Sequence, residues 1–182
     1  MKIKREFTIY TNTLEIGDRI KVKLPEETHW ATAYARKGTV TFFIFDNCLD
    51  EYLPMNSEDT TEGGYEASEL RKYLIELSDQ IPKKLKKRMV PDSNGDLLYL
   101  LSLREVCGCN ENWNNVPGQL DFFKNRKNRV ASSAEDEYAY WWLRDAVSAS
   151  AFALVYGTGH AGYSGASASR GVRPAFAISS DL

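Results

Sequence analysis

The sequence is short of the residues that most chemistry needs. Among 182 residues there are two histidines, His29 and His160, and three cysteines, Cys48, Cys107 and Cys109. An odd, sparse cysteine set supports no disulfide framework and fits reduced thiols. Cys107-Gly-Cys109 lacks the spaced second pair that a zinc site of the finger type requires, so the cysteines are read as buried or incidental and no metal site is expected. No apolar run approaches the roughly 20 residues that span a bilayer. The start, MKIKREFTIYTNT, is basic but has no apolar core of the signal-peptide kind, so synthesis in the cytoplasm is expected. Charge is also nearly balanced, with 23 Lys plus Arg against 25 Asp plus Glu and a net charge of -2. That leaves no global field for nucleic acid or an anionic membrane.

What is present is ordinary material for a core. Hydrophobic residues make up 43% and aromatics 12%, enough to offset the chain entropy lost on folding. Early segments alternate as strands: Phe7 to Tyr10, Arg19 to Leu24, Trp30 to Tyr34 and Val40 to Phe45, with a turn at Ile16-Gly17-Asp18. After Tyr65 the period lengthens. Ser68 is placed to cap a helix running to Ser78, with Leu70, Tyr73, Leu74 and Leu77 on one face. Pro82 opens a shorter helix, Lys83 to Arg88, whose KKLKKR run reads as a solvated face rather than a phosphate-binding patch.

Asp92 to Asp96 forms a turn and Leu97 to Leu101 an apolar strand. Ser102 and Glu105 make a capping box for a helix from Leu103 to Cys107. The Asn-rich segment from Asn110 to Arg129 reads as a long ordered loop. Tyr138 to Arg144 is an aromatic strand, expected to put Tyr140 and Trp142 on one face and Trp141 on the other. A glycine-rich loop, Gly157 to Gly162, precedes a last strand from Val172 to Ile178. No linker or repeat divides the chain. A single α+β domain over residues 1–182 follows, with short antiparallel sheets and two or three helices.

Catalytic patterns are weak. No nucleophile elbow occurs, and Gly157-Thr-Gly159-His-Ala-Gly162 satisfies G-x-G-x-x-G without the following helix or surrounding βαβ unit. Glu135, Asp136 and Glu137 are too close in sequence to act as a glycosidase pair. A calcium ion is left open as a cofactor, through the oxygen ligands of Glu135, Asp136 and Glu137 or of Asp46, Asp50 and Asp92-x-Asn94-x-Asp96. In that last run the glycine falls at Gly95 and the distant acid is missing, so a turn is the reading adopted.

Several segments occur together in a recognisable order: Gly17-Asp18-Arg19-Ile20; Tyr65 to Leu74, containing Ser68-Glu-Leu-Arg71; Leu98 to Glu105; Trp141-Trp142-Leu143-Arg144; and Gly171-Val-Arg-Pro-Ala-Phe176. From about Gly17 to Ile178 the chain resembles the DUF6273 family of bacterial and prophage proteins. The resemblance implies a C-type-lectin-like fold, related to the formylglycine-generating group, in which late loops on a rigid sheet carry binding. No cysteine follows Cys109, so the copper-holding pair of that oxidoreductase group is missing. The same fold implies a link to variable proteins of diversity-generating retroelements, whose C-terminal segments cannot mutate to Lys, Glu, Gln, Met or Trp. All five are absent after Trp142.

The expectation is therefore a non-enzymatic ligand-binding module of phage or prophage origin, virion-associated or cytoplasmic, with its binding region at about residues 145–170. Its ligand-binding residues are expected among Trp113, Tyr156, Thr158, His160, Tyr163, Ser164 and Ser167, with Ser148, Ser150, Phe152 and Ser169 as further contacts of a diversified surface. Trp142, Arg144 and Arg173 are expected to be framework. A protein or glycan is the expected partner, homo-oligomerisation is left open, and no cofactor, nucleic acid or membrane is expected. The rival readings are an intracellular inhibitor of a host enzyme and a formylglycine-type oxidoreductase.

Overall fold

A computed structural model describes residues 14–181; the expected strand at Phe7 to Tyr10 lies outside them. The chain opens with β1 (Arg19–Lys23), β2 (Thr28–Lys37) and β3 (Val40–Phe45), consecutive antiparallel strands. Short helices α1 (Gly64–Ala67), α2 (Glu69–Asp79) and α3 (Lys83–Lys86) follow, then the two-residue β4 (Met89–Val90). Next come α4 (Leu103–Cys107), α5 (Asp121–Lys124) and a 3-10 turn at Arg126–Arg129. The chain ends in β5 (Trp141–Ala146), β6 (Ala151–Val155), β7 (Ala161–Gly165) and β8 (Ala175–Ser179). The result is a small single-domain α+β protein with two antiparallel sheets, ordered β1-β2-β3-β8-β4 and β5-β6-β7. No helix among the described residues is long and apolar enough to cross a membrane.

The two sheets are stitched where the chain passes from β7 to β8. Gly171 donates its N–H to the Tyr140 carbonyl and accepts from Trp142 N–H, and Leu53 bridges Arg170. The central strands of both sheets bury both faces, while β1 keeps one face exposed. On one face Phe43, Phe45, Trp142, Phe152, Leu154 and Phe176 pack under Leu70, Leu74 and Leu77 of α2. On the other, Ile44, Trp141, Leu143, Ala153 and Val155 pack under Leu103 and Val106 of α4 and Phe123 of α5. Trp141 and Trp142 are thus both fully buried, on opposite sides of β5. Their indole N–H groups are satisfied by the Arg129 and Leu53 carbonyls, each at 2.8 Å, which removes the cost of burying an unpaired donor.

Local capping signals are realised as expected. The Ser68 hydroxyl accepts from Arg71 N–H, and Ser102 with Glu105 forms a complete capping box. Four expectations need correction. Among the described residues there are five helical segments plus a 3-10 turn rather than two or three, and of these α2 alone exceeds five residues. In the Leu97 to Leu101 run, residues 98–101 are buried, but the run makes only one bridge, Tyr99 to Ala175, because β4 already pairs with the outer edge of β8 ahead of it. The 110–129 stretch is not all loop: Phe123 is fully buried and holds α5 against the core. The aromatic strand begins at Trp141, leaving Tyr138 and Tyr140 in the exposed approach to it.

Candidate functional site

The β6–β7 hairpin sets up the site. Its turn is closed by Gly159 N–H donating to the Tyr156 carbonyl and Tyr156 N–H donating to the His160 carbonyl, both at 2.8 Å. Gly159 has φ 79°, and a Cβ there would meet Arg126 at 2.8 Å, so only glycine lets the tip lie against the 3-10 turn. Arg129 completes the joint, donating to the Phe123 carbonyl at 2.7 Å and the Gly159 carbonyl at 3.3 Å. The G-x-G-x-x-G match is therefore a hairpin turn between two antiparallel strands, with no helix N-terminus to hold a pyrophosphate.

Between the hairpin tip, the 3-10 turn and the approach to β5 lies an open cleft of about 680 Å³, lined by Arg126, Lys127, Val130, Tyr138, Tyr140, Gly157 and Thr158. Tyr138 is 61% exposed and Tyr140 45%. The hydroxyls of Tyr138 and Tyr140 and the Lys127 ammonium make no hydrogen bond or ion pair with the described residues, so they are free to meet a ligand. The Tyr140 ring is held edge-on by Tyr156 at 5.1 Å, with the Arg170 guanidinium 6.0 Å from its centroid. No acid lines the cleft. Its chemistry is that of an aromatic wall with two cations.

His160 stands at the rim, its Nε2 2.8 Å from Arg126 Nη1 and its Nδ1 3.1 Å from Thr158 Oγ1. Arginine can only donate, so Nε2 must accept; the neutral ring then carries its proton on Nδ1 and donates it to Thr158. In that arrangement His160 cannot take the Thr158 proton, and the pair orients groups instead of activating a nucleophile. The thiols are equally unsuited to catalysis. Burial pushes Cys48 and Cys107 up to about 12, against the opposing pull of Arg173 and Arg129 respectively, and burial also raises Cys109. All three stay protonated at neutral pH, and the thiolate is the reactive form.

The structure divides the expected binding residues. Thr158 and His160 reach the cleft rim, and Tyr156 is half-buried behind Tyr140. Tyr163 (58% exposed) lies on the opposite face of edge strand β7 from Ser164, and its ring meets Trp113 (43% exposed) at 6.0 Å. Ser164 accepts from Arg170. Ser167 is turned away to Asp59, which accepts from its N–H and its hydroxyl. Phe152 is fully buried and cannot touch a ligand, whereas Ser148, Ser150 and Ser169 are exposed. Arg173 is buried, donating to the Phe45 carbonyl at 2.7 Å and the Asn128 carbonyl at 3.0 Å, with its guanidinium 5.0 Å from the Trp141 ring centroid. Arg144 is half-buried on Glu105 at 3.1 Å. The Asp92 to Asp96 run is a turn, its second acid, Asp96, held by Arg71.

Arg126 and Lys127 are the residues that sequence reading does not assign to the site, while Tyr138 and Tyr140 read as part of an aromatic cluster with Trp113, Trp141 and Trp142 that could be a sugar- or peptide-stacking platform or core. Alternating basic and Asn residues after Phe123 were the available signal, since Asn125 caps the 3-10 turn through Lys127 N–H. A second cleft of about 600 Å³ contains Arg144, Glu105, Tyr34 and Tyr99. Arg144 pairs there with Glu105 at 3.1 Å and burial raises the Tyr34 and Tyr99 phenols, while Asp92 Oδ2 is buried without a hydrogen bond among the described residues.

The chain is thus a small single-domain α+β protein with an open aromatic and basic cleft beside the β6–β7 hairpin. Residues 39–180 match the family model DUF6273, described as a domain of unknown function, and the chain belongs to that family. Neither the curated proteins nor the solved structures contain a significant match to the chain.

Proposed function

We propose that this protein is a non-catalytic recognition module of phage or prophage origin with a C-type-lectin-like fold, and that it binds an anionic protein segment or glycan in the cleft between Tyr138, Tyr140, Arg126 and Lys127. The observation that carries this reading is the pair of exposed, hydrogen-bond-free tyrosines facing two cations with no acid between them. Tyrosine supplies contact area at low entropy cost, and cations beside it select negative charge. The antiparallel pairing of the early strand β3 with the last strand β8 supports the lectin-like reading. So does the location of the cleft on late connections. The diversification reading is narrowed to the exposed positions Thr158, His160 and Tyr163 and the serines at 148, 150 and 169.

The test presents the purified protein to an immobilised array of acidic and neutral glycans and, separately, to host lysate. Selective retention by acidic glycans, or of one stoichiometric acidic protein, is the expected result. Tyr138→Ala, Tyr140→Ala and Arg126→Ala should each weaken that binding more than about tenfold with the melting temperature unchanged. Binding that survives all three substitutions sinks the placement. Recovery of one cytosolic enzyme would favour the inhibitor form of the same reading, and detection on purified virions the receptor-binding form.

A further inference from the structure

A second cluster lies away from the cleft, at the other end of β2. Glu27 sits in the turn between β1 and β2, His29 is the second residue of β2, and Asp50 follows β3. The β2–β3 hairpin brings them together, so that one ligand atom from each lies within 4.8 Å of the others. Asp50 N–H donates to Glu27 Oε2 at 3.1 Å, tying the two loops. The His29 ring is 8% exposed and packs on Phe45 with centroids 5.2 Å apart, which fixes its direction. Its Nε2 is buried, makes no hydrogen bond of regular geometry with the described residues, and lies 2.6 Å from Glu27 Oε2 as an imidazole–carboxylate contact. A cation bound beside them would satisfy the buried nitrogen and the carboxylate together.

The surroundings also favour a cation. The three residues line a cavity of about 370 Å³ that Glu26 also enters. Among the described residues lining it there is no lysine or arginine, so no basic side chain other than His29 faces its carboxylates. An imidazole with two carboxylates is a borderline donor set. Calcium and magnesium take oxygen ligands almost exclusively, whereas imidazole suits zinc and its first-row neighbours.

We propose that Glu27, His29 and Asp50 form a zinc site with three protein ligands and a water in the fourth position. In a tetrahedral site with bonds of about 2.0 to 2.2 Å the ligand atoms stand about 3.3 Å apart. The Glu27–His29 contact of 2.6 Å therefore opens by under about 1 Å as the ion enters, within reach of a carboxylate rotation. Bound zinc would clip the β1–β2 turn to the chain leaving β3. Glu27 and His29 both precede the segment matched to the family, so the site belongs to this chain's own N-terminal hairpin.

The test is titration of the whole protein with zinc chloride by calorimetry, and with cobalt(II) by visible absorption. One zinc per chain, a raised melting temperature and tetrahedral cobalt bands are expected, with no displacement by excess calcium. Losing an outer-shell partner of a metal site already costs roughly ten- to a hundredfold in affinity, so losing a ligand should cost at least that. Asp50→Asn changes an exposed side chain that leaves the core intact and should show this loss with the metal-free melting temperature unchanged. His29→Gln should abolish both the zinc-induced stabilisation and the cobalt bands. Absence of saturable zinc binding, binding undiminished in Asp50→Asn, or preference for calcium would overturn the assignment.

Discussion

The hairpin tip from Tyr156 to Tyr163 and the strands that flank it in sequence, β6 and β8, share one composition and do opposite things. All three are rich in small and aromatic residues and free of lysine and glutamate. In β6 every residue is buried, as is every residue from Gly171 to Ile178. At the tip Thr158, His160 and Tyr163 are exposed. The missing charge over most of the C-terminal region is thus explained by burial on both faces of the sheets, without invoking a binding surface. Composition does not distinguish these segments; accessibility separates the buried framework from the exposed residues of the tip.

The comparison breaks most easily at Phe152. If β6 is framework, Phe152→Ala leaves a cavity between the sheet and α2 and should cost about 3–5 kcal/mol in urea denaturation, whereas Tyr163→Ala should stay within about 0.5 kcal/mol. A cost below about 2 kcal/mol for Phe152→Ala would mean that the segment is loosely packed and the contrast false. Gly157→Ala probes the boundary. A Cβ there would stand 2.3 Å from the Tyr138 carbonyl oxygen, a backbone atom that cannot swing aside. The expected loss is about 1–3 kcal/mol, together with weaker ligand binding, because Tyr138 must move. Normal stability and normal binding would show that the approach to β5 is not held by the hairpin.

Trp113 sharpens the exposed side of the comparison. It has φ 63°, held by Asn110, whose carbonyl accepts from Trp113 N–H and whose side chain accepts from Asn112 and Asn114 N–H. A bulky residue in this region costs of order 1 kcal/mol or more, and the tilted contact with Tyr163 returns about 0.5–1.5 kcal/mol. Trp113→Gly removes both, so stability should change by less than about 1 kcal/mol while the Tyr163 ring gains mobility, readable from its NMR line shapes. A large destabilisation would make the loop part of the core.

Legibility followed the range of the interactions. The capping boxes and turns were readable because their partners are within four residues, as with Ser102 and Glu105. The early strands were readable because alternation and a nearby turn specify a hairpin. Leu97 to Leu101 misled because a fully buried apolar run looks the same whether or not it pairs. α5 was hidden because a single buried Phe123 in a polar stretch carries no period. The cleft and the Glu27–His29–Asp50 cluster were illegible for one reason: each joins segments that only the finished sheet brings together. Sequence distance gave no hint that His29 and Asp50 share a cavity, or that Arg126 meets His160.

The smallest expected effect concerns Asp59, which joins the early part of the chain to the turn after β7. Its carboxylate accepts from the Ser167 N–H at 2.9 Å and hydroxyl at 2.7 Å, and these bonds, the backbone one first, hold its pKa below the ordinary aspartate value. A lowered acid pKa in the folded state stabilises fully above the unfolded value, about 3.9. That contribution disappears as the pH falls through the folded one. The melting temperature should therefore decline below about pH 4 less steeply in Asp59→Asn than in the wild type, because Asn keeps two neutral acceptor bonds and has no proton to gain. Ligand binding at neutral pH should be unaffected, since Ser167 faces Asp59 and not the cleft. Loss of binding in Asp59→Asn with the fold intact would return Ser167 to the recognition surface and move the border between framework and site.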